Sequence, residues 1–354
     1  MTRVALFVDQ PHWTGIGIYA IHLKKLLETS LEDVKLYYVG AVVDNDENFV
    51  RPSYLKYSHF FLQRPLTIAS NYKHIFKNED LTSYKIHFLG ADYIGVKLVG
   101  GIVTVHDLIR DKIKIRDCLR PKRLLVSLER NRKLRLTKKL LPLADKIIAI
   151  SKKTSSDILN TCHLDSIVIR HWADMLPKFD IKSSVLQSVK LKSNEKYILN
   201  VSDQKPVKRL DLITKFCNLL PDGWKLIKIG SPINSANCIN LRRLDDYNDY
   251  LYVFKNSSAY LHLSDNEGFG IPLLESMELL VPVICRSNEI NKEILDDCAI
   301  YISDNFNAQN VTEIVTNLSN ESISDIRLKI EERSKLFDPK LALQSYLQVY
   351  GGHH

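Results

Sequence analysis

Residues 259–275 read AYLHLSDNEGFGIPLLE, and this stretch decides the fold. Ala259 to Leu263 forms a strand candidate, and Ser264 to Glu275 leaves it and enters a helix. The Gly268-Phe269-Gly270 turn lets bare backbone amides approach a ligand, and the helix behind it presents free N–H groups and the positive end of its dipole. Glu267 lies in the loop before this turn, and Glu275 lies on the helix roughly one and a half turns in. A carboxylate accepts both hydroxyls of a vicinal diol, so two at this spacing suit a ligand with several diols, such as a sugar joined to a ribose. An ordinary strand-to-helix loop with a capping glutamate carries the same residue types, because Gly-rich turns are common.

Outward from there the same grammar repeats. In the second half, strand Tyr197 to Val201 leads through a polar turn to a helix from Leu210 to Leu219. Strand Lys225 to Ile229 then ends at Gly230-Ser231-Pro232, and short strands follow at Cys238 to Leu241 and Val281 to Cys285. The first half opens with strand Arg3 to Val8, a Gly15-Ile16-Gly17 turn and a helix from Ile18 to Glu28. Strands are expected at Lys35 to Val43, Ile86 to Leu89, Ile102 to Val105 and Lys146 to Ile150, the last meeting Ser151 as the N-cap of a helix that carries Asp157. Strands alternating with helices imply parallel sheets wrapped by helices. Between Trp172 and Asn194 the periodicity fades, which places an inter-domain connection there. The chain has 354 residues, more than one hydrophobic core usually serves. The expected architecture is α/β, two Rossmann-like parallel-sheet domains facing an interdomain cleft. The first spans 1–172, the second 173–337, and a closing helix at 338–352 packs back on the first.

The formal net charge of +8 is concentrated in one segment. Arg110 to Lys139 carries thirteen basic residues against Asp111, Asp117 and Glu129, a local net of +10, so the rest of the chain is slightly acidic. Leu125, Leu128, Leu136, Leu140 and Leu143 give the segment a helical stripe. A solvated helix packed through those leucines is one reading, and a peripheral contact with an anionic membrane is the other. The segment lacks interleaved aromatics and a recognition motif, which argues against nucleic acid. The run Leu279 to Cys285 is too short to cross a bilayer, and MTRVALFVDQ reads as a strand rather than a signal peptide. Six cysteines never approach a C-x-x-C spacing, which argues against zinc or a redox pair and suits a cytoplasmic protein. The tail Gly351 to His354 reads as the start of a tag.

EGFGIPLLE followed by ESMELLVPVI resembles the E-x(7)-E signature of the family-four retaining glycosyltransferases, which have the GT-B fold. The resemblance spans most of the chain. Gly15 and Gly17 resemble that family's N-domain glycine loop, His106-Asp107 its post-strand histidine, and LNVSDQKPVKRLDLI the segment that opens its second domain. By this resemblance Glu275 holds the ribose of a nucleotide-diphosphate sugar, while Glu267 and the amides of Gly268, Phe269 and Gly270 hold the transferring sugar. Lys208 falls at the diphosphate-binding lysine. The usual arginine five residues earlier is Asp203, so Lys205 or Arg209 would supply the second cation. His106 would face the donor sugar, and Trp13, Thr14 and Asp107 the acceptor side.

The resemblance implies a retaining transfer to the hydroxyl of a glycan or lipid-linked glycan, by front-face reaction with no protein nucleophile, no tightly bound cofactor and no metal. Asp44-Asn45-Asp46 is the one string that would suit Mg²⁺ or Mn²⁺. Competing readings are a nucleotide-sugar epimerase or phosphorylase of the same fold, and a non-catalytic polyanion-binding protein.

Overall fold

The computed structural model describes residues 2–12, 14–40, 47–50, 52–55, 64–90, 95–108, 131–132, 134–173, 183–189, 191–192, 194–242, 244, 246–318 and 322–351. The chain forms two compact units, residues 1–171 with 339–354, and residues 172–338. Trp13, the Asp44 to Asp46 string and all but the end of the basic segment lie outside the described residues.

The first unit is a six-stranded parallel sheet in the order β2-β1-β3-β4-β5-β6. Its strands are β1 (Arg3–Val8), β2 (Asp33–Tyr38), β3 (Tyr84–Phe88), β4 (Ile102–Val105), β5 (Lys146–Ala149) and β6 (Ile167–Val168). Ala5, Phe7, Tyr37, Phe88, Val103, Val105 and Ala149 fill a continuous core with Tyr72 and Ile75 of α2 (Arg64–Asn78) and Ile158 of α3 (Lys152–Cys162). Near-continuous apolar strands are what a sheet covered on both faces requires. The expected glycine turn after β1 is instead the first turn of α1 (Gly15–Leu27). Thr14 is its N-cap: Oγ1 accepts from the Gly17 amide at 3.1 Å and donates to the Pro11 carbonyl at 2.8 Å. A Cβ on Gly17 would stand 2.0 Å from that carbonyl oxygen, so the second glycine is needed for close approach. Ser151 caps α3, accepting from the Thr154 amide at 2.9 Å. The C-terminal helix Pro339–Tyr350 returns to this unit, where Tyr346 hydrogen-bonds Tyr19, Tyr350 hydrogen-bonds His87 Nδ1 at 2.6 Å, and Lys146 Nζ donates to the Val349 carbonyl.

The second unit is a parallel sheet in the order β12-β11-β10-β7-β8-β9. The strands are β7 (Lys196–Ser202), β8 (Trp224–Gly230), β9 (Cys238–Leu241), β10 (Ala259–His262), β11 (Val283–Arg286) and β12 (Ala299–Ile302). Helices α4 (Leu210–Asn218), α5 (Tyr247–Lys255) and α6 (Ile271–Glu278) follow β7, β9 and β10. Ile198, Leu226, Leu261 and Ile284 of the sheet pack with Ile213 and Phe216 of α4 in a separate core. The stretch read as a connection is only partly one. Residues 183–189 belong to this unit, with a helical turn at Val185–Ser188, a hydrogen bond from Ser183 to Asp249, and Val189 buried. Its polar composition hid one buried valine and one serine hydrogen bond, too little for periodicity to register.

Both units are parallel doubly wound sheets, and this is the GT-B fold. In the second, β7 and β10 are neighbours although two strands, β8 and β9, and two helices, α4 and α5, separate them in sequence. The chain turns to opposite sides of the sheet after these two strands, and ligands in such sheets bind in the crevice outside the carboxyl ends at that switch point.

Candidate active site

Two loops flank the switch point of the second unit. The loop after β7 runs from Asp203 through the single 3₁₀ turn Pro206–Lys208 to Arg209, and the loop after β10 runs from Leu263 to Gly270. The Asp265 amide donates to the Val207 carbonyl at 2.8 Å and staples one loop to the other. Arg209 has a left-handed backbone, φ 50°, which turns the chain directly into α4. Gly270 is also left-handed, φ 103°, and lets α6 start at Ile271 with Pro272 in its first turn, where a missing N–H costs nothing.

The staple brings Lys208 against Glu267, 59 residues further along, with Nζ to Oε1 at 2.5 Å. Both side chains are largely buried, at 22% and 16% exposed. Burial by itself would push the Glu267 carboxyl upward. The charge on Lys208, and hydrogen bonds from Lys208 and Ser264, outweigh that burial and hold it below its ordinary value. Glu267 is therefore a carboxylate acceptor. Lys208 has three protons and spends one on Glu267, so an incoming anion can be gripped without breaking the pair. His262, buried behind them, is depressed to about 4 by burial and is neutral, and its Nε2 has no partner among the described residues.

Glu275 is 5% exposed on α6 and bonds a different set of groups. Tyr247 of α5 donates to Oε1 at 3.1 Å and Tyr250 to Oε2 at 2.5 Å. Burial raises its carboxyl from 4.5 to about 7 against the pull of these two hydroxyls. Glu267 and Glu275 both act on the buried hydroxyl of Tyr260, whose ionisation burial and these two charges oppose. Phe269 is buried edge-on against Phe337, centroids 5.9 Å apart, which anchors the turn. Gly268 is half-buried beside it.

Arg209 is committed to carboxylates. Its guanidinium donates to Asp211, to Asp265 at 3.0 Å and to Asp304 at 3.2 Å, and Arg286 bridges the same Asp265 and Asp304. Lys205 is exposed at the start of the 3₁₀ turn. Asp203 is exposed too, and its charge bears on Lys228. Lys228 is wholly buried on β8 and donates to the carbonyls of Ser202 at 2.5 Å and Ile229 at 2.9 Å, tying together the carboxyl ends of β7 and β8. Burial lowers its ammonium to about 8, with Asp203 opposing.

In the first unit, His106 follows β4 and is buried, with Nε2 donating to the Leu89 carbonyl at 3.0 Å and the ring edge-on to Tyr19 at 4.9 Å. Burial depresses it to about 4, so it is a neutral imidazole. Asp107 is exposed beside it, and Gly15 is exposed at the first position of α1. Among the described residues no group of three His, Cys, Asp or Glu side chains is placed to hold a metal ion.

Residues 182–336, which contain both loops and both glutamates, match the family model "Glycosyl transferases group 1". That match lies within the second unit. Over 329 residues the chain is 24% identical to the O-antigen chain mannosyltransferase B of Escherichia coli, covering 82% of this chain and 84% of that one. The sucrose-phosphate synthase of Thermosynechococcus elongatus shares the fold, with a TM-score of 0.74 and 16% identity over 99% of this chain and 98% of that one. So does Anabaena Alr3699/HepE, solved with UDP and glucose, at 0.66 and 15% over the full length of both. Sequence reasoning missed four groups around this site: Tyr247, Tyr250, Lys228 and Arg286. The tyrosines left a trace in the sequence, since an i, i+3 pair behind the N-cap Asp246 shares one helix face. Lys228 left none, because a lysine in a strand reads as an exposed position.

Proposed function

We propose that this protein is a retaining glycosyltransferase that moves a hexosyl group from a nucleotide-diphosphate sugar to a hydroxyl of a glycan or lipid-linked glycan, without a metal. The observation that carries the reading is the Lys208–Glu267 pair at the switch point, with a second buried carboxylate, Glu275, on the helix that follows. In this reading Lys208 meets the diphosphate. Its charge is worth most as the glycosidic bond breaks and the leaving group becomes more negative. The amides of Gly268, Phe269 and Gly270 hold the transferring sugar beside it, and Lys205 supplies further positive potential. Glu267 accepts from the sugar hydroxyls and Glu275 from the ribose diol. Front-face departure and attack explain retention here: the leaving phosphate oxygen takes the acceptor's proton, and Glu267 serves as an anchor rather than a nucleophile. His106, Gly15, Gly17, Trp13, Asp107 and Arg209 keep supporting roles in this proposal.

The test is transfer itself. Mannosyl donors head the panel because a relative is a mannosyltransferase, and UDP-glucose joins it because of HepE. Donor binding should raise the melting temperature by mass action, the product should keep the anomeric configuration of the donor, and EDTA should leave the rate unchanged. Inverted product refutes retention, and a rate abolished by EDTA and restored by Mn²⁺ refutes metal independence.

The basic segment adds a proposed location. Among the described residues no helix is long and apolar enough to cross a membrane, and thirteen cations near an anionic surface at about 1 kcal/mol each are ample for peripheral binding. Reversing Arg130, Arg132, Lys133 and Arg135 should release the protein from vesicles containing phosphatidylglycerol at physiological salt. Equal sedimentation of both forms would refute this.

A further inference from the structure

Tyr247 and Tyr250 lie three residues apart on one face of α5 and stack, with ring centroids 5.7 Å apart and planes 17° from parallel. Tyr250 in turn meets Phe254 edge-on at 5.8 Å, so the stack is braced from behind. Both hydroxyls are fixed on Glu275. The result is a side chain with two different ends. The hydroxyl of Tyr247 is tied to a buried carboxylate, while the residue as a whole is 44% exposed. An aromatic ring held at the tip, supported on one face by another ring and open to solvent is pre-organised to receive a flat partner, because little rotamer freedom remains to be lost.

We propose that the Tyr247 ring is the platform on which the donor's nucleobase stacks. The proposal rests on the reading of Glu275 as the group that accepts the ribose diol. The base is carried by C1′, the carbon next to C2′, so a carboxylate on the 2′ and 3′ hydroxyls fixes the base within a few bonds of itself. Tyr247 is the exposed ring whose hydroxyl touches that carboxylate. Every base has a π-face, so such a platform grips uracil, guanine and adenine alike and does not choose between them. The aromatic pair thus has two linked tasks: its hydroxyls aim the carboxylate at the ribose, and its outer ring carries the base.

The variants Tyr247→Leu, Tyr247→Phe and Tyr247→Trp separate these tasks. With UDP, GDP and ADP as probes, calorimetry should find Tyr247→Leu on the order of tenfold weaker for all three, the equivalent of about 1.4 kcal/mol. Tyr247→Phe should stay within about threefold of wild type, Tyr247→Trp should bind as tightly or more so, and the hypochromism of the bound base should vanish in Tyr247→Leu. Melting curves establish that each variant is folded, and the Phe and Trp variants decide the question if the Leu variant is not. If wild type binds nucleoside diphosphates and Tyr247→Leu binds them equally, the platform is refuted while the donor site stands. If Tyr247→Phe is as weak as Tyr247→Leu, the residue acts only through Glu275 and the platform is refuted again. If wild type binds none of the three probes, the reading of the site falls and takes the platform with it.

Discussion

Lys208→Met is expected to lower kcat/KM for transfer by roughly 10² to 10³, the usual cost of removing one pre-organised charge partner from a developing anion. The loss should fall on kcat as well as on donor binding, because the lysine's attraction grows as the diphosphate departs. The same change should also destabilise the unliganded protein. Glu267 lies at 16% exposure and is kept ionised mainly by Lys208. With the lysine gone, burial prevails and the carboxyl titrates higher, at a cost of about 2–3 kcal/mol after allowance for the partial exposure of both groups. Glu267→Gln removes the other half of the pair, so the two losses should be non-additive in a double-mutant cycle. Lys208→Arg should not restore the rate, since a planar fork replaces a point charge on a tight turn. Steady-state rates and urea titrations measure both effects. A rate for Lys208→Met within threefold of wild type would show that the diphosphate lies elsewhere.

Glu275→Gln should weaken donor binding about 100-fold, as expected for two charge-assisted hydrogen bonds to the ribose reduced to neutral ones. It should also change how the protein responds to pH, and the sign is fixed by the burial of this carboxyl. In the folded, unliganded protein it titrates at about 7 against 4.5 when unperturbed. The folded state therefore holds the proton more tightly than the unfolded state. Stability associated with Glu275 is present in full below 4.5 and is lost as pH rises through 7. The gap corresponds to about 3 kcal/mol. Donor affinity moves the other way, rising as pH passes 7 and the carboxylate becomes available to accept two hydroxyls. Urea titrations at pH 5 and pH 8.5 should show Glu275→Gln gaining on wild type at the higher pH, and its donor affinity should lose the rise near 7. Parallel profiles for the two proteins would refute this account of Glu275.

The readable part of the site is the part written in consecutive residues. Gly268, Phe269 and Gly270 between a strand and a helix form a local object, and so do the β7 turn with Lys208 and the cap at Ser151. Local conformation is set by neighbours in sequence, so composition and spacing suffice to find it. Gly15 shows the limit: two glycines read as a turn, yet Thr14 caps Gly17 and the helix begins earlier. Residues 183–189 show the same limit, as one buried valine and one serine bond are invisible to periodicity. Arg209 was available in sequence as a phosphate cation, but Asp211, Asp265 and Asp304 converge on its guanidinium.

The sequence by itself determined that this chain builds two parallel sheets, that +10 of its charge sits between Arg110 and Lys139, and that two glutamates bracket a glycine turn. These follow from periodicity and composition, which act over a few residues at a time. Only the tertiary structure decided that β10 lies beside β7, and hence that the loop of Lys208 meets the loop of Glu267. It also decided that Tyr247 and Tyr250 aim Glu275, and that Lys228 is buried where a lysine should be exposed. Strand order is chosen by the burial of both faces of the whole sheet, a sum over residues far apart in the chain. The charges that define the site are neighbours only after that choice is made.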